Sequence, residues 1–374
     1  MASFDTSSPS QQVLDVLCLL KQHHNVLISG PPAAGKSQLL AELRHWFTQV
    51  PKTGFSAKGR TAFPATSPIE DCLPSPDRSD RKVLSTTFHQ GTKYRDFVCG
   101  LAPSVGPKAE SAFQVTHGLL YRGIEAAQSA NGAVLIEIDE INRGPAVTIF
   151  GDTITAIEGD KRLLSDGNAG PLTSSFGVLT ETGEPKDCSL PYHLYIVAAM
   201  NEADTSVEPL DVAFLRRFRP YKLNPDEAIL RNYFGLAGER QTLVASATSA
   251  IEIYEAAVQA WSKVNARIEL ARGAAFQIGH GIFMAQAREN VPTDVDDALN
   301  MVADVWTQLQ SHISEVFFGD TRGTAAVLRA GEAGSPFHLE ETYFSNAPVV
   351  RLAGPPVVGR DLIFQVLSTV AGGD

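Results

Sequence analysis

Gly30-Pro31-Pro32-Ala33-Ala34-Gly35-Lys36-Ser37 is the stretch on which the reading of this chain turns. Two glycines with four residues between them, followed by Lys and a hydroxyl residue, form the pattern that cradles phosphate. An apolar run, Val26, Leu27 and Ile28, precedes it, and Leu39, Leu43, Trp46 and Val50 recur after it at helical spacing. The context is therefore strand, loop, helix, and Lys36 and Ser37 open a helix whose N-terminal amides and positive dipole end favour an anion. The candidate phosphate-binding set is Gly30, Pro31, Pro32, Ala33, Ala34, Gly35, Lys36, Ser37 and Gln38. Lys36 is expected to reach β- and γ-phosphate oxygens and the Ser37 hydroxyl to ligate Mg²⁺.

A second motif supports the first. Ala133-Val-Leu-Ile-Glu-Ile-Asp-Glu140 is an apolar strand ending in paired acids. In a parallel sheet such a strand presents its last side chains at the carboxyl edge, where ligands bind in open α/β folds. Asp139 is the expected Mg²⁺ holder and Glu140 the expected general base on the attacking water. Glu137 shares a strand face with Asp139 where an apolar residue is expected, and a buried carboxylate there needs a partner, so a structural pairing is expected.

Composition sets the frame. A chain of 374 residues with 44% hydrophobic and 20% charged residues can bury a large core, and its length suggests about two domains. A formal net charge of -11 argues against a protein that coats nucleic acid through its overall field. Cys18, Cys72, Cys99 and Cys188 are widely spaced without a C-x-x-C pair, so free reduced thiols are expected, with no disulfide framework or zinc site. The N-terminus is polar and no apolar run approaches membrane-spanning length, which points to the cytoplasm.

Along the chain, residues 11–22 read as a short amphipathic helix, and His23, His24 and Asn25 as a solvated connector. Residues 51–80, rich in Pro, Ser and Gly, read as a surface insertion without regular elements, and Val83–Phe88 as a strand. Tyr94 and Phe97, three apart, are expected to pack, and Phe113 to Gln128 reads as a helix. Pro145 suits the first turn of a helix carrying Ile149, Thr153, Ile154 and Ile157, and residues 159–190 suggest a hairpin-bearing insertion. The strand Leu194–Met200 is capped by Asn201, and Arg216 and Arg217 follow in Asp211–Arg219. Beyond Asn224 the pattern is helical, with Trp261 and Trp306 as core and Thr293 and Asp294 as caps.

Taken together, these pieces resemble the AAA+ family and, within it, the McrB-like motor subunits of modified-cytosine restriction systems. The residues that carry the resemblance are Gly30–Ser37, Phe88–Gln90 with Tyr94 and Phe97, Asp139–Arg143 and Met200-Asn201-x-Ala-Asp204. Further matches are Leu210–Phe218, Gln277–His280 and Glu315-x-Phe-Phe318, the whole covering about residues 11–320 in the family's order. The fold this implies is α/β, a P-loop AAA+ core with a parallel sheet flanked by helices, followed by a smaller all-helical lid. The expected divisions are 1–222, 223–330 for the lid, and a tail at 331–374 that could pack on a neighbour. By the resemblance Asn201 becomes the polar sensor that positions water, Arg216 and Arg217 the candidates for an arginine finger supplied in trans, with Arg217 open to a structural role instead, and His280 a lid residue near the nucleotide.

Three departures stand out: Ala33 in place of a loop glycine, tolerable if its φ stays negative, Thr205 where the family has Arg, and Gly281-Ile282 in place of Ser-Tyr. The resemblance implies hydrolysis of ATP or GTP with Mg²⁺ in a homo-oligomeric, hexameric ring. Its partner would be a nuclease subunit and its load DNA, in restriction or antiviral defence, without a membrane. Few residues precede the phosphate loop, so DNA reading is expected to belong to another chain or to be missing. The alternative function is that of a MoxR-like chaperone that remodels or assembles a partner protein.

Overall fold

The computed structural model describes residues 8–49, 68–104, 112–204, 210–236, 238–284 and 291–372. The part of the 51–80 insertion up to residue 67, Val50 and Thr205 lie outside them. The chain divides into two compact units, one made of Ser3–Ser29 and Lys36–Lys222, the other of Leu223–Asp374 together with Gly30–Gly35.

The first unit is α/β. Its elements are α1 (Gln11–His23), β1 (Asn25–Gly30), α2 (Lys36–Phe47), α3 (Pro68–Cys72), β2 (Asp80–Thr87), α4 (Tyr94–Phe97), β3 (Cys99–Pro103), β4 (Phe113–His117) and α5 (Leu119–Gln128). They continue with β5 (Gly132–Asp139), α6 (Ala146–Phe150), α7 (Thr153–Ala156), β6 (Phe176–Leu179), β7 (Pro185–Cys188), β8 (Leu194–Asn201), α8 (Val212–Leu215) and β9 (Arg219–Lys222). A five-stranded parallel sheet runs in the order β2-β5-β8-β1-β9. Central β5 and β8 are buried along nearly their whole length, which is why they read as continuous apolar runs. The order brings the carboxyl ends of β5 and β8 to the edge where β1 hands over to α2.

Several local expectations change. His24 and Asn25 are buried, not solvated: His24 takes a φ of 65° at the end of α1 and stacks on Tyr195 with ring centroids 5.3 Å apart. Asn25 donates to the carbonyls of Ile157 and Arg217 and accepts from Arg162. The stretch Phe113–Gln128 splits into β4, paired antiparallel with β3, and α5. Gly118 makes the break because a Cβ there would lie 2.3 Å from the carbonyl carbon of Phe97. The helix after Pro145 breaks at Gly151, whose φ is 50°, into α6 and α7. The end of the Pro-rich insertion forms α3. The expected hairpin within 159–190 is β6–β7.

The cysteine reading is corrected as well. Cys18 on α1 and Cys72 on α3 form a disulfide, with Cα atoms 4.2 Å apart, while Cys99 and Cys188 are free and buried. A separation of 54 residues leaves no local spacing signal from which the pair could be read.

The second unit contains α9 (Glu227–Tyr233), α10 (Ala250–Arg272), α11 (Val295–Val316), α12 (Thr321–Val327), β10 (His338–Phe344), β11 (Ala347–Ala353) and α13 (Arg360–Ala371). Ser249 and Glu252 form a capping box on α10, and Asp294 caps α11 through the amides of Asp296 and Asp297. Trp261 and Trp306 lie in its core, 2% exposed each. Residues beyond 331, expected as a tail, contain an antiparallel hairpin, β10–β11, and α13, whose Ile363, Val366, Leu367 and Val370 join the same core. Among the described residues no helix is long and apolar enough to cross a membrane.

Candidate functional site

Within the α/β unit the acidic strand end and the start of α2 come together. Burial pushes the Lys36 ammonium below its usual range, and the carboxylates of Glu140, Asp139 and Glu202 pull it back up. A lysine partly stripped of water and faced by three carboxylates is a poised cation. Asp139 ends β5 opposite Thr87 of β2, and its Oδ1 accepts the Glu140 amide at 2.9 Å. Glu140 itself leaves the strand in the left-handed region, φ 52° and ψ 47°, a conformation that costs a non-glycine residue about 1 kcal/mol or more.

Glu140 is held from two sides. Asn201, at the end of β8, donates from Nδ2 to Glu140 Oε1 at 3.0 Å, and its own carbonyl accepts from Asn142 Nδ2 at 3.1 Å. Arg143 Nε lies 3.3 Å from Oε2 as an ion pair, while its Nη2 pairs with Asp204 Oδ2 at 2.7 Å. That ion pair lacks hydrogen-bond alignment, so Oε2 is a buried acceptor without a hydrogen bond. A buried carboxylate oxygen left in this state suits a water or hydrated ligand. Arg143, which the sequence marks only as the end of the Asp139–Arg143 match, and Glu202 had no role assigned, although the three-residue spacing of Glu140 and Arg143 across the short turn Ile141–Arg143 carried the signal for the first.

The partner of Glu137 is Arg44. The carboxylate is 4% exposed and receives Nη2 at 2.7 Å and Nε at 3.3 Å, a two-pronged contact from α2. Glu137 is thus structurally paired. Tyr94 and Phe97 pack as expected, Phe97 edge-on to Phe88 with centroids 5.4 Å apart and the Tyr94 ring against Gly151.

Gly30–Gly35, the candidate phosphate loop, belong to the second unit. Gly279 N–H donates to the Pro32 carbonyl and Gly281 N–H to the Ala33 carbonyl, each at 2.8 Å. A Cβ on Gly279 would lie 2.0 Å from the Ala33 carbonyl carbon, and one on Gly281 would lie 2.7 Å from its oxygen. Gly281 therefore fits its place where a larger residue would not. The condition on which Ala33 is tolerable, a negative φ, is not met: its φ is 58°, in a turn tied by these two backbone bonds. Gly30 meets the Leu223 carbonyl so closely that a Cβ would be 2.4 Å from its oxygen. His280 Nε2 lies 3.6 Å from where a side chain on Gly35 would begin, and its Nδ1 accepts from the Asp226 amide at 3.2 Å. Burial holds the His280 imidazole below its usual pKa, so it is neutral near pH 7.

The two arginines differ. Arg217 reaches Glu158 with Nε at 3.1 Å and the Ala213 carbonyl with Nη1, and its side chain is 9% exposed. Arg216 is exposed, with no hydrogen bond or ion pair from its side chain among the described residues.

The donor set suits a Mg²⁺-bound triphosphate. A hydroxyl, a carboxylate and phosphate oxygens are hard oxygen ligands, and Mg²⁺ in such sites needs few protein groups because it keeps its waters. Asp139 is followed directly by Glu140, whose Oε2 is buried without a hydrogen bond.

A parallel sheet with a poised lysine and paired acids at its carboxyl edge defines a P-loop protein of the AAA+ class, and residues 77–218 match the AAA domain of the dynein-related subfamily. Over that stretch the chain carries an AAA domain, and over more of its length it is similar to McrB. It is 25% identical over 323 residues to the Type IV methyl-directed restriction enzyme EcoKMcrB subunit of Escherichia coli (strain K12), covering 84% of this chain and 59% of that one. It is 33% identical over 96 residues to the Type II restriction enzyme BsuMI component YdiS of Bacillus subtilis (strain 168), covering 25% of this chain and 28% of that one. The chain thus spans less than two thirds of the length of either relative. The solved structure of C. elegans PCH-2 aligns over 80% of this chain and 67% of its own at 12% identity, with a TM-score of 0.35, too low to add to the sequence matches.

Proposed function

We propose that this chain hydrolyses ATP or GTP as the Mg²⁺ complex and works as the ring motor of a McrB-like restriction or phage-defence complex. The observation that carries the hydrolysis is the grouping of Lys36, Asp139 and Glu140 at one sheet edge, with Asn201 holding Glu140 in place. Bound Mg²⁺ would neutralise charge on the phosphates from Ser37 and Asp139. Lys36 supplies a fixed cation to the phosphate oxygens, and Glu140 accepts a proton from the attacking water while Asn201 orients both. By the sequence pattern Gly30 to Gly35 and Gln38 are the residues that would receive the phosphates, and His280 lies beside Gly35.

Arg216, exposed and unpaired among the described residues, is the finger offered to an adjacent protomer, and Arg217 holds the helix end to Glu158. A site finished by a neighbour calls for a ring, and we take it as a hexamer. The relatives' names, as components of restriction enzymes, support a nuclease-type partner subunit with DNA as the load.

Nucleotide binding and steady-state hydrolysis, with ATP and GTP side by side, test this. Lys36→Ala should lose binding. Glu140→Gln should keep it and lose at least about 100-fold in turnover. Turnover of neither nucleotide by the wild-type chain, alone and with its cognate subunit, refutes the reading.

A further inference from the structure

The four cysteines fall into two situations. Cys99 and Cys188 are buried free thiols, 5% and 9% exposed, and burial pushes the Cys188 thiol up to about 11. Cys18 and Cys72 are half-buried and bonded to one another. We propose that the Cys18–Cys72 bond is a reversible redox staple on the α/β unit, opened by dithiol reductants of the thioredoxin or dithiothreitol type, that sets how firmly α3 is held to α1.

Reactivity follows access and thiolate character, so the partly exposed pair is open to exchange while the buried pair is shielded. A thiolate of the reductant attacks one sulfur, the Cys18–Cys72 bond breaks and a mixed disulfide forms. The second reductant thiol then resolves it. Cys18 and Cys72 end as thiols carrying the two protons of the dithiol, and the reductant leaves as its cyclic disulfide.

What the bond controls is local. A five-residue helix does not hold its shape alone. Apart from the disulfide, α3 is tied to α1 through Lys21 Nζ on the Asp71 carbonyl at 2.6 Å, and Leu73 follows into the core. The next residues have separate anchors. Arg81 donates to the carbonyls of Pro74 and Ser75 at 2.8 and 2.7 Å, and Ser75 Oγ lies 2.6 Å from both His193 Nδ1 and Tyr195 OH. Opening the bond therefore loosens α3 and leaves β2 in register. The bridge also closes a stretch of 54 residues that contains the phosphate loop, so it restricts the unfolded chain strongly.

The test uses the full chain, oxidised with diamide or held in dithiothreitol, alkylated before and after denaturation and mapped by peptide mass, with thermal unfolding recorded in both states. Oxidised protein should yield a linked Cys18–Cys72 peptide, with Cys99 and Cys188 alkylated only after denaturation. Its thermal midpoint should lie higher by roughly 5–15 °C than that of the reduced chain. Cys72→Ser should unfold like the reduced wild type and ignore dithiothreitol. Should that variant not fold, the wild-type pair of states still decides. Full labelling of Cys18 and Cys72 after diamide, equal midpoints in the two states, or a dithiothreitol response that survives in Cys72→Ser overturns the proposal.

Discussion

Replacing Arg44 with Met tests the account of Glu137 most directly. The carboxylate lies in the middle of a central strand at 4% exposure, and Arg44 pairs with it through two contacts at 2.7 and 3.3 Å. Removing one member of a fully buried pair costs about 3–5 kcal/mol, because the remaining charge is stranded. The Arg44 side chain is 52% exposed, so solvent already screens part of its attraction, and the expected loss falls to about 2 kcal/mol. The Glu137 hydrogen bond raises the Arg44 pKa further, consistent with a contact that holds the charged form. The second variant, Glu137→Leu, removes the stranded charge. The pair Arg44→Met with Glu137→Leu should then recover most of the loss, giving a coupling of about 2 kcal/mol. Urea unfolding followed by circular dichroism and tryptophan fluorescence measures all four corners of the cycle. A single Arg44→Met variant within about 0.5 kcal/mol of wild type, or a double variant whose loss equals the sum of the singles, refutes the reasoning.

Three other expectations follow from the same geometry. Mixing Arg216→Ala chains with Lys36→Ala chains should restore part of the hydrolysis, since each supplies what the other lacks, whereas Arg217→Ala should mainly lower the melting temperature. Mixed particles of confirmed composition that stay inactive would remove Arg216 from the interface. His24 is held to a pKa of about 3, first by burial and then by Arg162, against an ordinary value of 6.5. Its folded-state pKa is depressed, so the unfolded chain binds the extra proton. Its contribution is whole above pH 6.5 and is lost as pH falls towards 3, by about 1.4 kcal/mol per unit. His24→Phe should flatten that limb of the stability curve, and an unchanged acid limb would count against it. Gly279→Ala has no room beside the Ala33 carbonyl carbon, 2.0 Å from its new methyl, so the loop must shift. Nucleotide affinity should drop at least about tenfold, and an unchanged affinity by calorimetry would show the turn to be slack.

What could be read from the chain was what the backbone periodicity writes locally. Leu39, Leu43 and Trp46 are buried on the helix that Lys36 opens, and Asp139 ends a buried strand, because 3.6-residue and continuous apolar patterns leave few alternatives. Phe113–Gln128 misread because β pairing with residues 99–103 overrides a short helical pattern. Arg44 and Glu137 are 93 residues apart, and Cys18 and Cys72 are 54 apart, distances over which spacing says nothing about meeting. His24 looked like part of a polar connector, yet its imidazole is a flat apolar face for Tyr195 once the chain turns with positive φ. In the site, the acid pair and the lysine were legible as motif, whereas the grip of Asn201 and Arg143 on Glu140 depends on where β8 ends.

The left-handed backbone at Glu140 has a bearing on how this protein could be engineered. Gly or Asn at that position would relax the main chain, so a selection for heat tolerance alone favours them. Such a selection would erase the carboxylate beside Asp139 and enrich for durable chains that have lost it.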